Sequence, residues 1–239
     1  MEQRANLEAQ VLINARQIKF VVVLASTAVW VIGVFRVLWL GLMGTGTILR
    51  NMGKLDLDSD LTLPSWYSSL MLALSALLLF LVARSVAAGS RRDALKWGFL
   101  ALIFVALSMD EAIAIHEMSL QPIRNAIELP AIFTFGWIPF AMVFVLALAV
   151  IYIPFLLRLP RPLAIGMLLS AVIYVFGVIG MGMVNGFLFS AYGEEKNFVF
   201  SLMSSVEEGF EILGLTLLIL TLIDHLSRSQ PPLAFRLAE

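Results

Sequence analysis

The sequence predicts an all-α fold, a polytopic membrane protein in which residues 1–239 form one domain, a bundle of six transmembrane helices. The first observation is composition: 60% of the residues are hydrophobic and only 14% are charged, whereas soluble domains carry about 25% charged residues. The second is the presence of apolar runs of about 20 residues, the length that a helix needs to cross a bilayer. The mean hydropathy of +0.93 agrees with both.

Six apolar runs mark the predicted helices in chain order. The first run is too long for a signal peptide, and no A-x-A-like cleavage site follows it, so we expect a retained membrane helix. Pro139 and Pro154 predict a bend in the fourth run, because proline supplies no backbone N–H to the helix. We place the six spans near residues 18–43, 65–88, 96–119, 130–157, 162–190 and 199–224.

The fifth span is rich in glycine. Gly182-x-x-x-Gly186 has the small-residue spacing that lets two membrane helices approach closely, and Gly177 and Gly180 precede it. The pattern indicates packing first, and it leaves open a membrane-protein partner that docks on this helix.

The distribution of Lys and Arg predicts the orientation. With the N-terminus inside, the inner segments carry eleven basic residues and the outer segments carry four. Because cytoplasmic loops are enriched in Lys and Arg, we expect both termini in the cytoplasm and the chain in the plasma membrane, a bacterial inner membrane.

Several functions are excluded by what the chain lacks. It has no cysteine, which rules out disulfides and thiolate ligands. Its net charge of −1 and the placement of basic residues at helix ends give no nucleic-acid surface. The sequence contains no Walker A motif or dinucleotide fingerprint, so no nucleotide partner is expected. The expected partner is the lipid bilayer.

Acidic residues inside two of the spans are the main functional signal. A charged side chain at the membrane centre costs about 2.5–3.5 kcal/mol on insertion scales, so such residues usually serve a function. Helix rise puts Asp110 roughly 14 Å and Glu207 roughly 12 Å below the outer membrane edge. The candidate site residues are Asp110, Glu111, His116 and Glu117 on the third span and Glu207, Glu208 and Glu211 on the sixth.

So many acids require protons, a counter-charge or a bound cation. Arg36 is the one basic residue well inside a span, and we expect it to act as their counter-charge. Carboxylates with a single imidazole suit a divalent metal ion, with Fe, Mn, Zn or Ca as candidates. This predicts that the third and sixth helices are adjacent and hold the metal between them. The alternative is a purely structural network of protonated glutamates, serines and Arg36.

These features favour a carboxylate-rich, metal-binding intramembrane site in the outer half of the bundle. Such a site suits a metal-dependent membrane enzyme that acts on a lipid-like or small membrane-soluble substrate, with one unliganded glutamate as general base. Whether the chain turns over a substrate is left open. The alternatives are a cation- or proton-coupled transporter or channel, and an accessory subunit of a larger membrane complex.

Overall fold

The computed structural model describes residues 14–44, 46, 48–59, 61–118 and 129–228, of which 85% are helical and none lies in a strand. This confirms the all-α class and the count of six long helices. The long helices are α1 (Ala15–Met43), α2 (Leu63–Val86), α3 (Arg91–Ile113), α5 (Ile138–Leu156), α6 (Arg161–Ala191) and α7 (Phe198–Arg228), with a short helix α4 (Ile115–Met118) after α3.

Four of the long helices, α1, α2, α5 and α6, are long and apolar enough to cross a membrane. Helices α3 and α7, which carry the acidic residues, are not among these four. The conclusion that the chain crosses the membrane more than once therefore rests on four helices.

Polar caps and prolines begin the helices where the sequence provides them. The side chains of Asn14, Thr62 and Ser90 each accept a hydrogen bond from a backbone N–H in the first turn of α1, α2 and α3. Such caps satisfy backbone donors that have no partner within the helix. Helices α2, α5 and α6 also have proline in their first positions, where its missing N–H costs nothing.

Helix α7 is the centre of the packing. It packs against α1, α2 and α6, and Leu79 and Val82 of α2 and Ile219 and Leu222 of α7 are completely buried in the core. Helix α3 packs mainly against α2, where Ser69 and Ser108 hydrogen-bond to each other across the seam. The predicted direct packing of the third and sixth spans is therefore wrong at the level of the backbone, because α2 occupies the neighbouring position to both.

The outer ends of two spans differ from the prediction. Helix α3 ends at Ile113 rather than near residue 119, because Ala114 adopts a left-handed conformation with φ of 52°. Helix α5 begins at Ile138 rather than near residue 130, after a short 3-10 turn over Ala131–Phe133. Asp110 therefore lies only about 5 Å from the end of its helix, whereas the longer predicted span put it roughly 14 Å from that end.

Helix α6 is not uniform. Its middle, Phe176–Met181, is a π-helical turn between two α-helical parts, Arg161–Val175 and Gly182–Ala191. Single π turns inside α-helices occur frequently at functional sites, because they displace the side chains that follow them. This turn faces α7.

Candidate functional site

The break after α3 brings His116 back onto Asp110. The backbone N–H of His116 donates to Asp110 Oδ1 at 2.8 Å, and His116 Nδ1 lies 2.9 Å from Asp110 Oδ2. The imidazole also packs edge-to-face on Trp137, with ring centroids 5.3 Å apart. Two contacts to one carboxylate and one to an indole fix the position of the ring. A carboxylate bonded to Nδ1 fixes the tautomer and the ring orientation of a histidine.

The acids of α7 lie on the same side of the molecule as this pair. Glu207 is within electrostatic range of His116, and Glu211 is within electrostatic range of Glu111 and Glu208. Long glutamate side chains thus bring the two predicted sets into one electrostatic neighbourhood although α3 and α7 do not pack directly.

Glycines of α6 allow α7 to approach closely at this level. A Cβ atom on Gly177 would lie 2.9 Å from Cγ of Glu211 and 3.1 Å from the backbone oxygen of Glu207. A Cβ atom on Gly182 would lie 3.3 Å from Oε1 of Glu207. The close packing predicted from the glycines is therefore made within the chain at both positions. A separate partner on this helix stays a prediction.

Two residues of α6 complete the site. Asn185 is completely buried, and its Nδ2 donates a hydrogen bond to Oε2 of Glu207. Tyr174 lies within electrostatic range of Glu211, Glu111 and Asp110. Neither residue is among the predicted site residues, and a tyrosine in an apolar span is equally typical of a membrane interface.

The predicted metal ligands do not form a ready-made metal site. In the part of the chain that the structure describes, no group of three or more His, Asp or Glu residues is arranged to hold a metal ion. Asp110 and His116 bond to each other and Glu207 bonds to Asn185, so these ligand atoms point at protein partners. The Glu117 side chain lies outside the described part. Metal binding by these seven residues stays a prediction.

Arg36 pairs with a residue of the loop between α1 and α2. It is buried, and its Nη1 lies 3.0 Å from Oδ2 of Asp56 while its Nε donates to the backbone oxygen of Leu49. This loop folds back over the C-terminal part of α1, and buried Leu57 packs against Gly33 there. The role of Arg36 as counter-charge for the acids of α3 and α7 stays a prediction.

This loop also contacts the start of α7. Asp58 Oδ2 lies 2.9 Å from Nζ of Lys196, and Asp58 Oδ1 accepts a hydrogen bond from Ser204 at 3.1 Å. Burial raises the pKa of Asp58 above its usual range, although the ammonium of Lys196 acts in the opposite direction. Asp58 also lies within electrostatic range of Glu207. The loop therefore contacts the N-terminal part of α7, close to Glu207.

An apolar cavity of about 440 Å³ opens between α3 and α5. The two helices meet near the N-terminus of α3, where the Tyr152 hydroxyl donates to the Lys96 backbone oxygen at 2.8 Å and Trp97 packs on Phe155. Beyond the C-terminus of α3, His116 packs on Trp137, which precedes α5. Asp110 is the one ionisable residue of the lining, which consists of Phe99, Leu102, Ile103, Ala106, Leu107, Asp110, Ile115 and Phe144.

Comparison with known proteins identifies the family. No curated protein and no solved structure matches the chain. A protein-family model described as "Domain of unknown function (DUF8692)" matches residues 20–226. The match covers both sides of the site, and the chain belongs to this family.

Proposed function

We propose that the chain is a multi-pass membrane protein with a divalent-cation site in the outer half of its bundle, and that it carries out metal-assisted chemistry on a lipid-like molecule. The observation that carries the proposal is the apolar cavity between α3 and α5, which ends at Asp110 and its bonded His116. Its volume is within the range of ligand pockets, roughly 300–1,000 Å³. An apolar cavity that is open to the surface and has one carboxylate in its lining suits a substrate with a hydrocarbon part and a polar reacting group.

The roles follow from position. The Asp110–His116 pair is the acid–base element at the end of the cavity, because its imidazole is held by a carboxylate. We place the cation among Glu111, Glu207, Glu208 and Glu211, because the first three act on Glu211 as like charges and a cation would offset their repulsion. One glutamate that the cation leaves unbound would act as general base.

Elemental analysis tests the cation. Protein purified without chelators or affinity metals should contain at least one equivalent of a divalent metal, lost in Glu111→Gln and Glu208→Gln. Glu195→Gln is the matched control, because Glu195 is exposed in the loop before α7. Metal-free wild-type protein, or equal metal in all variants, would contradict the cation site.

Photocrosslinking tests the lipid-like substrate. A lipid with a diazirine in its acyl chain should label α3 and α5, and Ala106→Trp should abolish the labelling by filling the cavity. Ala147→Trp is the control, since Ala147 is exposed on α5 and does not line the cavity. Equal labelling of both variants would contradict a lipid-binding cavity.

A second candidate is a cation- or proton-coupled transporter, favoured by one observation. Asp58, in the outer loop, lies within electrostatic range of Glu207, which gives a route of carboxylates from the outer surface inward. Flux of protons or cations in proteoliposomes, lost in Glu207→Gln, would favour this function. Metal content without flux would favour the enzyme.

A further inference from the structure

Asn185 combines complete burial with an incompletely satisfied amide. Its Nδ2 donates to Glu207, but its Oδ1 has no hydrogen-bond partner within the described part of the chain. Buried polar side-chain atoms nearly always have a partner, so an orphaned amide oxygen needs an explanation. Either a donor or a cation must complete it.

The surroundings of Asn185 offer oxygen atoms. Oε2 of Glu207 accepts from the same amide, and Oε1 of Glu207 lies against Gly182, one turn before Asn185 on α6. Glu211 is within electrostatic range of Glu207 and follows it by one turn on α7. An amide carbonyl oxygen next to one carboxylate, with a second carboxylate in electrostatic range, is a donor set that hard cations prefer, whereas zinc prefers nitrogen and sulfur.

We propose that Asn185 Oδ1 and the Glu207 carboxylate are ligands of a hard, oxygen-preferring divalent cation such as Ca²⁺ or Mn²⁺, with Glu211 completing the negative charge. This inference rests on the proposed function, since it specifies the cation of the same site. It adds a ligand on α6, a helix that carries none of the seven predicted ligands. It also explains the glycine at position 182, because a larger residue there would crowd the Glu207 oxygen that faces it.

Cation titration of the full-length protein in detergent tests the inference, with Ca²⁺, Mn²⁺ and Zn²⁺ each added alone to chelator-treated protein. Wild-type protein should bind Ca²⁺ or Mn²⁺ more tightly than Zn²⁺. Asn185→Leu should weaken Ca²⁺ and Mn²⁺ binding at least tenfold, and Glu207→Gln should weaken it further. Asn51→Leu is the control, because Asn51 is exposed in the outer loop.

Asn185→Asp keeps the side-chain shape and remains informative if the leucine variant does not fold. A carboxylate in place of a ligating amide should raise Ca²⁺ affinity several-fold. Unchanged Ca²⁺ and Mn²⁺ affinity in both Asn185 variants would overturn the inference. If metal is then still lost in Glu208→Gln, the proposed function stands without Asn185. Wild-type protein that binds none of the three cations would overturn both.

Discussion

Arg36 has a partner, Asp56, that the sequence did not predict. Its depth in α1 pointed to the acids of other helices, but a nearer carboxylate reaches it through the loop that follows its own helix. Sequence spacing gives the position of a residue along a helix. It does not give the fold of a loop of some twenty residues, and that loop decides the ion pair.

Arg36→Met should destabilise the protein by about 2 kcal/mol, because it removes a charge-assisted contact and leaves Asp56 without its cation. Asp56→Asn should cost a similar amount, and the double variant should cost much less than the sum. Thermal or denaturant unfolding in detergent measures these values. Arg50→Met, at an exposed position, serves as control. Additive losses would show that the two residues do not form an energetic pair.

Asp58 gives a prediction for the pH dependence of stability. Because burial raises its folded-state pKa above the ordinary 3.8, the folded protein binds a proton at this site more tightly than the unfolded chain does. This residue's contribution to stability should therefore increase as the pH falls from above the raised pKa towards 3.8. Asp58→Asn removes the titration, so its unfolding free energy compared with wild type isolates the effect. If the wild-type protein instead loses stability relative to Asp58→Asn as the pH falls, the sign of this prediction is wrong.

At the scale of elements, the apolar runs predicted the helices and failed where helices are interrupted. All six long helices overlap the predicted spans, although α3 ends before and α5 begins after the predicted bounds and only four of the six are apolar enough to cross a membrane. No proline lies at the break at Ala114 or in the π turn at Phe176–Met181, so the sequence does not indicate either interruption. The break at Ala114 coincides with the contact of His116 with Asp110, and the π turn lies where α6 packs on α7.

Substitutions at Ala114 test the break. A β-branched residue is strongly disfavoured at φ of 52°, so Ala114→Val should lower stability by about 1–2 kcal/mol. Ala114→Gly should be neutral or mildly stabilising, because glycine adopts this conformation without strain. Melting temperatures of both variants measure the effect. A valine variant as stable as the glycine variant would mean that α3 continues through position 114.

Alanine substitutions at Gly177 and Gly98 test the contact between α6 and α7. Gly177 lies at this contact, and Gly98, on α3, is the control. An alanine at position 177 meets the Glu207 backbone oxygen at 3.1 Å, which α7 can relieve only by moving away. Gly177→Ala should therefore cost about 1–3 kcal/mol. Gly98→Ala enters open space inside helix α3 and should stabilise by about 0.5–1 kcal/mol. Equal effects on the melting temperature would mean that the two helices do not pack this closely.

At the scale of the whole molecule, the sequence predicted which residues matter better than how they meet. Buried acids in apolar runs are costly, so Asp110, Glu207 and Glu211 stood out without any structure. Their mutual arrangement depends on α2 lying between α3 and α7 and on glycines bringing α6 onto α7. Neither contact leaves a periodic pattern in the chain. The Asp110–His116 pair was equally hidden, because six residues on a continuous helix would have placed the two side chains on different faces.

Membrane topology is the prediction on which the outer placement of the site depends. Eleven Lys and Arg residues on one side against four on the other predict both termini in the cytoplasm. Reporter fusions should be active as cytoplasmic markers at the C-terminus and as exported markers in the loop at residues 46–59. Exchanging Arg91 and Arg92 for Gln removes two of the eleven inner charges and should increase the fraction of inverted molecules. If the wild-type C-terminus is exported, the acidic site lies in the cytoplasmic leaflet and the loop between α1 and α2 faces the cytoplasm.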